Sequence, residues 1–90
     1  MAFLIGAAEG DFDAWMEQFL SDPLGRKHVA KGHMIFRSVD NPNLGFVRIE
    51  FDSVDDAKAF AEKVRGSNVL DNMEMKVQPT VAELVDQATY

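Results

Sequence analysis

Apolar residues along this chain follow two spacings, and the points where one gives way to the other mark the elements. Ala2-Phe3-Leu4-Ile5-Gly6-Ala7-Ala8 is a short unbroken apolar run closed by Glu9-Gly10, which predicts a buried strand. Phe12, Trp15, Met16, Phe19 and Leu20 then recur at helical spacing behind Asp11. They predict a helix with one apolar stripe, capped by the Asp11 carboxylate and stopped at Ser21-Asp22-Pro23. His33 to Val39 and Leu44 to Phe51 alternate with period two around Asp40-Asn41-Pro42-Asn43, which predicts a hairpin. Val54, Ala57, Phe60, Ala61 and Val64 return to helical spacing, with Ser53 and Asp56 as a capping-box variant and Gly66 as the stop. Ser67 to Asn72 reads as a turn. Met73 to Val77 alternates as a strand, and Gln78-Pro79-Thr80 interrupts it. Val81 to Tyr90 fits a helix through Val81, Leu84, Val85 and Ala88, and equally a strand through Val81, Glu83, Val85 and Gln87.

The element order is β-α-β-β-α-β over residues 1–90, a single α+β domain of ferredoxin-like pattern with an antiparallel sheet. If Asp40 to Asn43 form the hairpin loop, Val39 pairs with Leu44 and His33 falls opposite Glu50. Directly opposed side chains share a face. One face then carries Met34, Phe36, Val47, Ile49 and Phe51, a core surface for the two helix stripes. The other carries His33, Ile35, Arg37 and Val39 against Glu50, Arg48, Phe46 and Leu44. With both helices on the first face, the second is left bare, and a bare apolar face of that extent points to a partner.

Composition narrows the field. A chain of 90 residues buries roughly 60–70% of its unfolded surface, so association is a common source of further stability. No cysteine is present, which excludes disulfides, thiol nucleophiles and Cys-based metal or iron–sulfur sites and fits a cytoplasmic location. No apolar run approaches the roughly 18 residues of a membrane span. Met1 to Ala8 carries no Lys or Arg and is short for a signal peptide, so it reads as a strand. The formal net charge of −6 argues against binding a phosphate backbone.

Candidate chemistry gathers on the bare face: His33, Ile35, Arg37, Phe46, Arg48 and Glu50. A carboxylate-oriented imidazole, His33 beside Glu50, is the arrangement of a general base; the plainer reading is a cross-strand pair in which Glu50 raises the His33 pKa. Arg37 and Arg48 suit an anionic ligand, or acids of a partner subunit. Arg26, Lys27, His28 and Lys31 form the local basic excess, read as a solvated connection or as an anion-attracting lip. His28 and His33 stand five apart with no carboxylate cluster beside them, so no metal site is expected.

Three stretches carry a family resemblance: Asp11-Phe12-Asp13-Ala14-Trp15, His33 through Asn43, and Phe51-Asp52-Ser53-Val54-Asp55-Asp56-Ala57. Their order and spacing resemble small proteins of the dimeric α+β barrel superfamily, the antibiotic-biosynthesis-monooxygenase-like and stress-responsive barrel domains. The resemblance implies a homodimer of ferredoxin-like subunits whose sheets meet and enclose a cavity for a small apolar or aromatic ligand. It favours a strand for the last stretch. Enzymes of that group include cofactor-independent monooxygenases, which is the alternative function, and haem-degrading oxygenases that use an Asn, a His and a Trp. Trp15 lies on the packing stripe and neither His falls late in the chain, so no cofactor is expected. A rival class shares the element order: Leu44-Gly45-Phe46-Val47-Arg48-Ile49 echoes the third-strand motif of RNA-recognition domains. It lacks the leading basic residue and one stacking aromatic, and nucleic acid is not an expected partner.

Overall fold

The structure, a computed structural model, describes residues Met1–Tyr90. In chain order it runs β1 (Ala2–Glu9), α1 (Phe12–Leu20), α2 (Arg26–Val29), β2 (Gly32–Arg37), β3 (Leu44–Phe51), α3 (Val54–Arg65) and β4 (Glu74–Glu83). Both long helices begin where the side-chain chemistry allows. The Asp11 carboxylate accepts from the Ala14 N–H at 3.1 Å, and the Ser53 hydroxyl accepts from the Asp56 N–H at 3.1 Å. Each bond satisfies one amide that the first helical turn leaves without a partner.

The four strands form one antiparallel sheet in the order β2-β3-β1-β4, the ferredoxin-like arrangement. Ala2, Leu4, Ile49 and Phe51 project from its centre into a core closed by Ala57, Phe60 and Ala61 of α3. The Phe51 and Phe60 rings meet at 5.6 Å between centroids. α3 lies directly on β1, β3 and β4, whereas α1 stands farther from the sheet and reaches it through its aromatic side chains.

The hairpin departs from its expected register by one residue. Arg37 pairs with Gly45, Phe36 with Phe46, Met34 with Arg48 and His33 with Ile49. A slip of one residue moves every side chain of the strand to the other face. Met34 and Phe36 therefore join Phe46 and Arg48 on the uncovered face, and His33, Ile35 and Arg37 turn towards the helices. The β3 assignment holds: Ile49 and Phe51 are buried, and Phe46 is not.

The cause lies in the connection, which runs over residues 38–43 rather than four residues. The Ser38 hydroxyl accepts from the Asn41 N–H at 3.1 Å, and the Asn41 side-chain oxygen accepts from the Asn43 N–H at 3.1 Å. These local bonds extend the loop to six residues and leave Val39 outside the ladder. Val39 stands at the tip, 99% exposed, with Leu44 left to receive the Ser38 N–H on its carbonyl at 2.9 Å.

Three further expectations are corrected. Pro79 does not break the last strand; β4 runs through it, and the register against β1 shifts between Ile5 and Ala8. A bulge on an edge strand tolerates the missing N–H. The strand expected across residues 81–90 ends at Glu83, and Leu84 to Tyr90 carry no regular secondary structure. The stretch from Leu24 to Lys31 contains a helical turn, α2, and is not a wholly solvated connection.

Candidate functional site

The gap beneath α1 is a cavity of about 110 Å³, and 17 of its 24 lining residues are hydrophobic. Leu4, Val47 and Ile49 form its floor on the sheet. Phe12, Trp15 and Phe19 of α1 form one wall, Phe60 and Val64 of α3 another, and Val69, Leu70 and Met73 close the end beside β4. The space exceeds the few tens of Å³ that one water needs, and a lining this apolar favours an apolar occupant. Phe12 and Trp15 are tilted neighbours at 6.0 Å, and Trp15 and Phe19 at 5.1 Å, so one aromatic row runs along the wall. Gly45 allows Phe12 to reach the sheet: a Cβ there would lie 2.6 Å from the Phe12 ring.

Polar groups enter at the α1–α2 corner. Asp22 takes a positive φ of 57° and Gly25 one of 71°, which folds the chain back under the end of α1. Asp22 then caps α2: its Oδ1 accepts from the Arg26 N–H at 2.7 Å and its Oδ2 from the Lys27 N–H at 3.2 Å. Burial raises the Asp22 carboxyl, but the amides of Lys27 and Arg26 and the charges of both side chains outweigh it and hold the pKa below the ordinary range.

Arg26 is the buried charged residue of the chain, 4% exposed, and it lines the cavity. Its Nη1 donates to the Phe19 carbonyl oxygen at 2.9 Å, at the negative end of α1, and its Cζ stands 3.8 Å from the Phe19 ring centroid. Burial pushes its pKa down against the pull of Asp22, and a guanidinium remains charged at neutral pH.

The six candidate side chains divide. His33 lies edge-on to Phe19 at 5.0 Å, on the helix side. Burial first, and the charges of Arg26 and Lys27 after it, hold its pKa below the ordinary imidazole value. This reverses the expected rise, and the expected partner is absent, since Glu50 pairs with Gly32. Arg37 donates from Nη2 to Asp13 Oδ1 at 2.8 Å and lies over Phe12 at 4.3 Å, also on the helix side with Ile35. Arg48 and Glu50 stay on the open face, where Arg48 lies over Phe3 at 5.3 Å. Phe46 points to that face, and of the six it alone borders the cavity. The sequence places Arg26 in the basic excess, as a solvated connection or an anion-attracting lip, and not among the six candidates; the signal for its burial is the Asp22–Arg26 spacing of four beside an aromatic stripe.

The open face carries Phe3, Ile5, Met34, Phe36, Phe46 and Val77, with no element of this chain over it. At one end Glu9 accepts from Asn41, the main influence holding its carboxyl below the ordinary value, with Lys76 at 3.5 Å adding to it. No group of three His, Asp or Glu side chains is arranged to hold a metal ion. No helix is long and apolar enough to cross a membrane.

Comparison with solved structures supports the family resemblance at the level of the fold. The chain is similar to a candidate antibiotic biosynthesis monooxygenase from Deinococcus radiodurans, with a TM-score of 0.68. The match covers 100% of this chain and 98% of that one at 12% sequence identity. No family model matches the sequence, and no curated protein does.

Proposed function

We propose that this protein binds a small apolar or aromatic molecule in the cavity between its helices and sheet, and that two copies pair through their open sheet faces. The observation that carries the ligand reading is the cavity, walled by Phe12, Trp15 and Phe19 and floored by Leu4, Val47 and Ile49. An apolar space of this kind recovers the free energy of removing hydrophobic surface from water when an apolar guest fills it. The pairing reading rests on Phe36, Phe46 and Met34, which remain largely exposed in the subunit. The ligand thus moves from its expected place between two sheets to the other side of each sheet.

Titration of ¹⁵N-labelled protein with naphthalene tests the ligand reading. The expected shifts fall on the Trp15 indole N–H, Val47 and Leu70. No shifts, or shifts confined to Phe3, Phe36 and Val77, would overturn it. The likeness to a candidate monooxygenase favours a second reading, cofactor-free oxygenation of the bound molecule. Such a reaction needs no external reductant when a methylene and dioxygen give a ketone and water. Dioxygen uptake with an anthrone, equimolar with ketone formed and above the uncatalysed rate, is its expected sign.

A further inference from the structure

The Arg26 guanidinium carries a donor that its surroundings do not use. Nη2 is buried and has no hydrogen-bond partner. A buried N–H without an acceptor costs a large part of its lost hydration, and a charged one costs more. Nη1 is committed to the Phe19 carbonyl oxygen. Asp22, the nearby carboxylate, does not serve Nη2: its Oδ1 lies 3.7 Å from Nη1, and its two oxygens already accept from the backbone amides of Arg26 and Lys27. The ring of Phe19 covers one flank of the guanidinium. A cation is thus held by the Phe19 carbonyl and ring beside Asp22, in a residue that lines an apolar cavity, with Nη2 unpaired.

We infer that Arg26 Nη2 receives an anionic oxygen of the molecule held in the cavity, so that the ligand is an apolar acid. The inference rests on the cavity being the binding site. Without a donor, an apolar wall rejects an anion, because the carboxylate gives up its hydration and gains nothing in return. With Nη2 present, the oxygen gains a charge-assisted hydrogen bond in a setting that water screens poorly. Charge placement agrees: the chain is acidic overall, yet Arg26, Lys27 and His28 follow one another at this point of the sequence.

The test compares 1-naphthoate with naphthalene on the wild-type protein, followed by NMR shifts and by calorimetry. Naphthoate is expected to bind roughly tenfold more tightly or better, the ratio one charge-assisted hydrogen bond supplies. In Arg26→Met, with its fold checked by circular dichroism, that order reverses. Arg26→Lys, which keeps a charge at the corner, retains part of the preference and serves if the Met variant does not fold. Naphthalene binding with naphthoate no tighter in the wild type would overturn the inference and leave the cavity reading intact. Binding of neither compound would overturn both. A naphthoate preference unchanged in Arg26→Met or Arg26→Lys would assign the anion to another group and overturn the inference as well.

Discussion

The two faces of this sheet hold side chains of similar character in opposite circumstances. On the helix side Ala2, Leu4, Ile49 and Phe51 are at most 5% exposed, closed in by α3. On the open side Ile5, Phe46, Val77, Met34 and Phe36 are 37–51% exposed, though their residue types would suit a core equally well. Burial is therefore a property of what stands over a strand and not of the strand's composition. The helix face is complete enough to sustain the fold yet leaves a gap under α1, whereas the open face lacks a covering layer altogether. Charge follows the same division. Arg26 is drawn inside by a helix end, an aromatic ring and Asp22, while Arg48 rests over Phe3 at the surface.

The largest expected effect contrasts the two faces within one strand. Ile49→Glu places an unpaired carboxylate among Leu4, Phe51 and Phe60, and the cost of several kcal/mol approaches the whole stability of a domain this small. Its far-ultraviolet circular dichroism should show loss of the fold. Phe46→Glu, three residues earlier and on the other face, should keep its secondary structure. If two copies pair through this face, the variant shifts light scattering from dimer towards monomer. An unfolded Phe46→Glu beside a folded Ile49→Glu would reverse the two faces.

Gly45→Ala sharpens the account of the cavity wall. The added methyl meets Phe12, which is buried under Arg37 and beside Trp15, so the ring must move. Overpacking of this kind costs about 1–3 kcal/mol, to be read as a lower urea midpoint with an unchanged slope. Because Phe12 walls the cavity, naphthalene binding should weaken in the same variant.

The smallest effect is a titration that separates the faces through β2. His33, with a depressed pKa on the helix side, should titrate below the ordinary value of about 6.5. Below that unfolded value the unfolded chain takes up a proton that the folded state resists, so stability declines as pH falls towards the folded pKa. Asp22, also depressed, adds a loss of the same sign at lower pH. Arg26→Met should raise the His33 midpoint by removing a positive neighbour, and Glu50→Gln should leave it unchanged. A His33 midpoint that fell in Glu50→Gln would restore the discarded register.

Much of this molecule was legible before any coordinates, and the reason is local. Asp11 and Ser53 cap helices three residues ahead, the stripes of α1 and α3 repeat within a few turns, and β3 alternates cleanly enough to declare its faces. Such signals depend on neighbours in the chain, and they set the element order and the ferredoxin-like class. Three features depended on distant partners and were not legible. β2 alternates plausibly in either phase, and the Ser38–Asn41 bonds together with the rings of Phe12 and Phe19 chose the phase that local pattern disfavoured. Pro79 looked like a break because its missing N–H matters only where a neighbouring strand needs it, and β4 lies at the sheet edge. Arg26 looked solvated because its burial requires the end of a helix from earlier in the chain to meet it, at the Phe19 carbonyl and ring. The sequence by itself determined which segments are helix and strand, through capping and period; tertiary packing decided which cation is buried and, together with the loop bonds, which side of β2 faces inward, since helices and sheet must meet for either to be set.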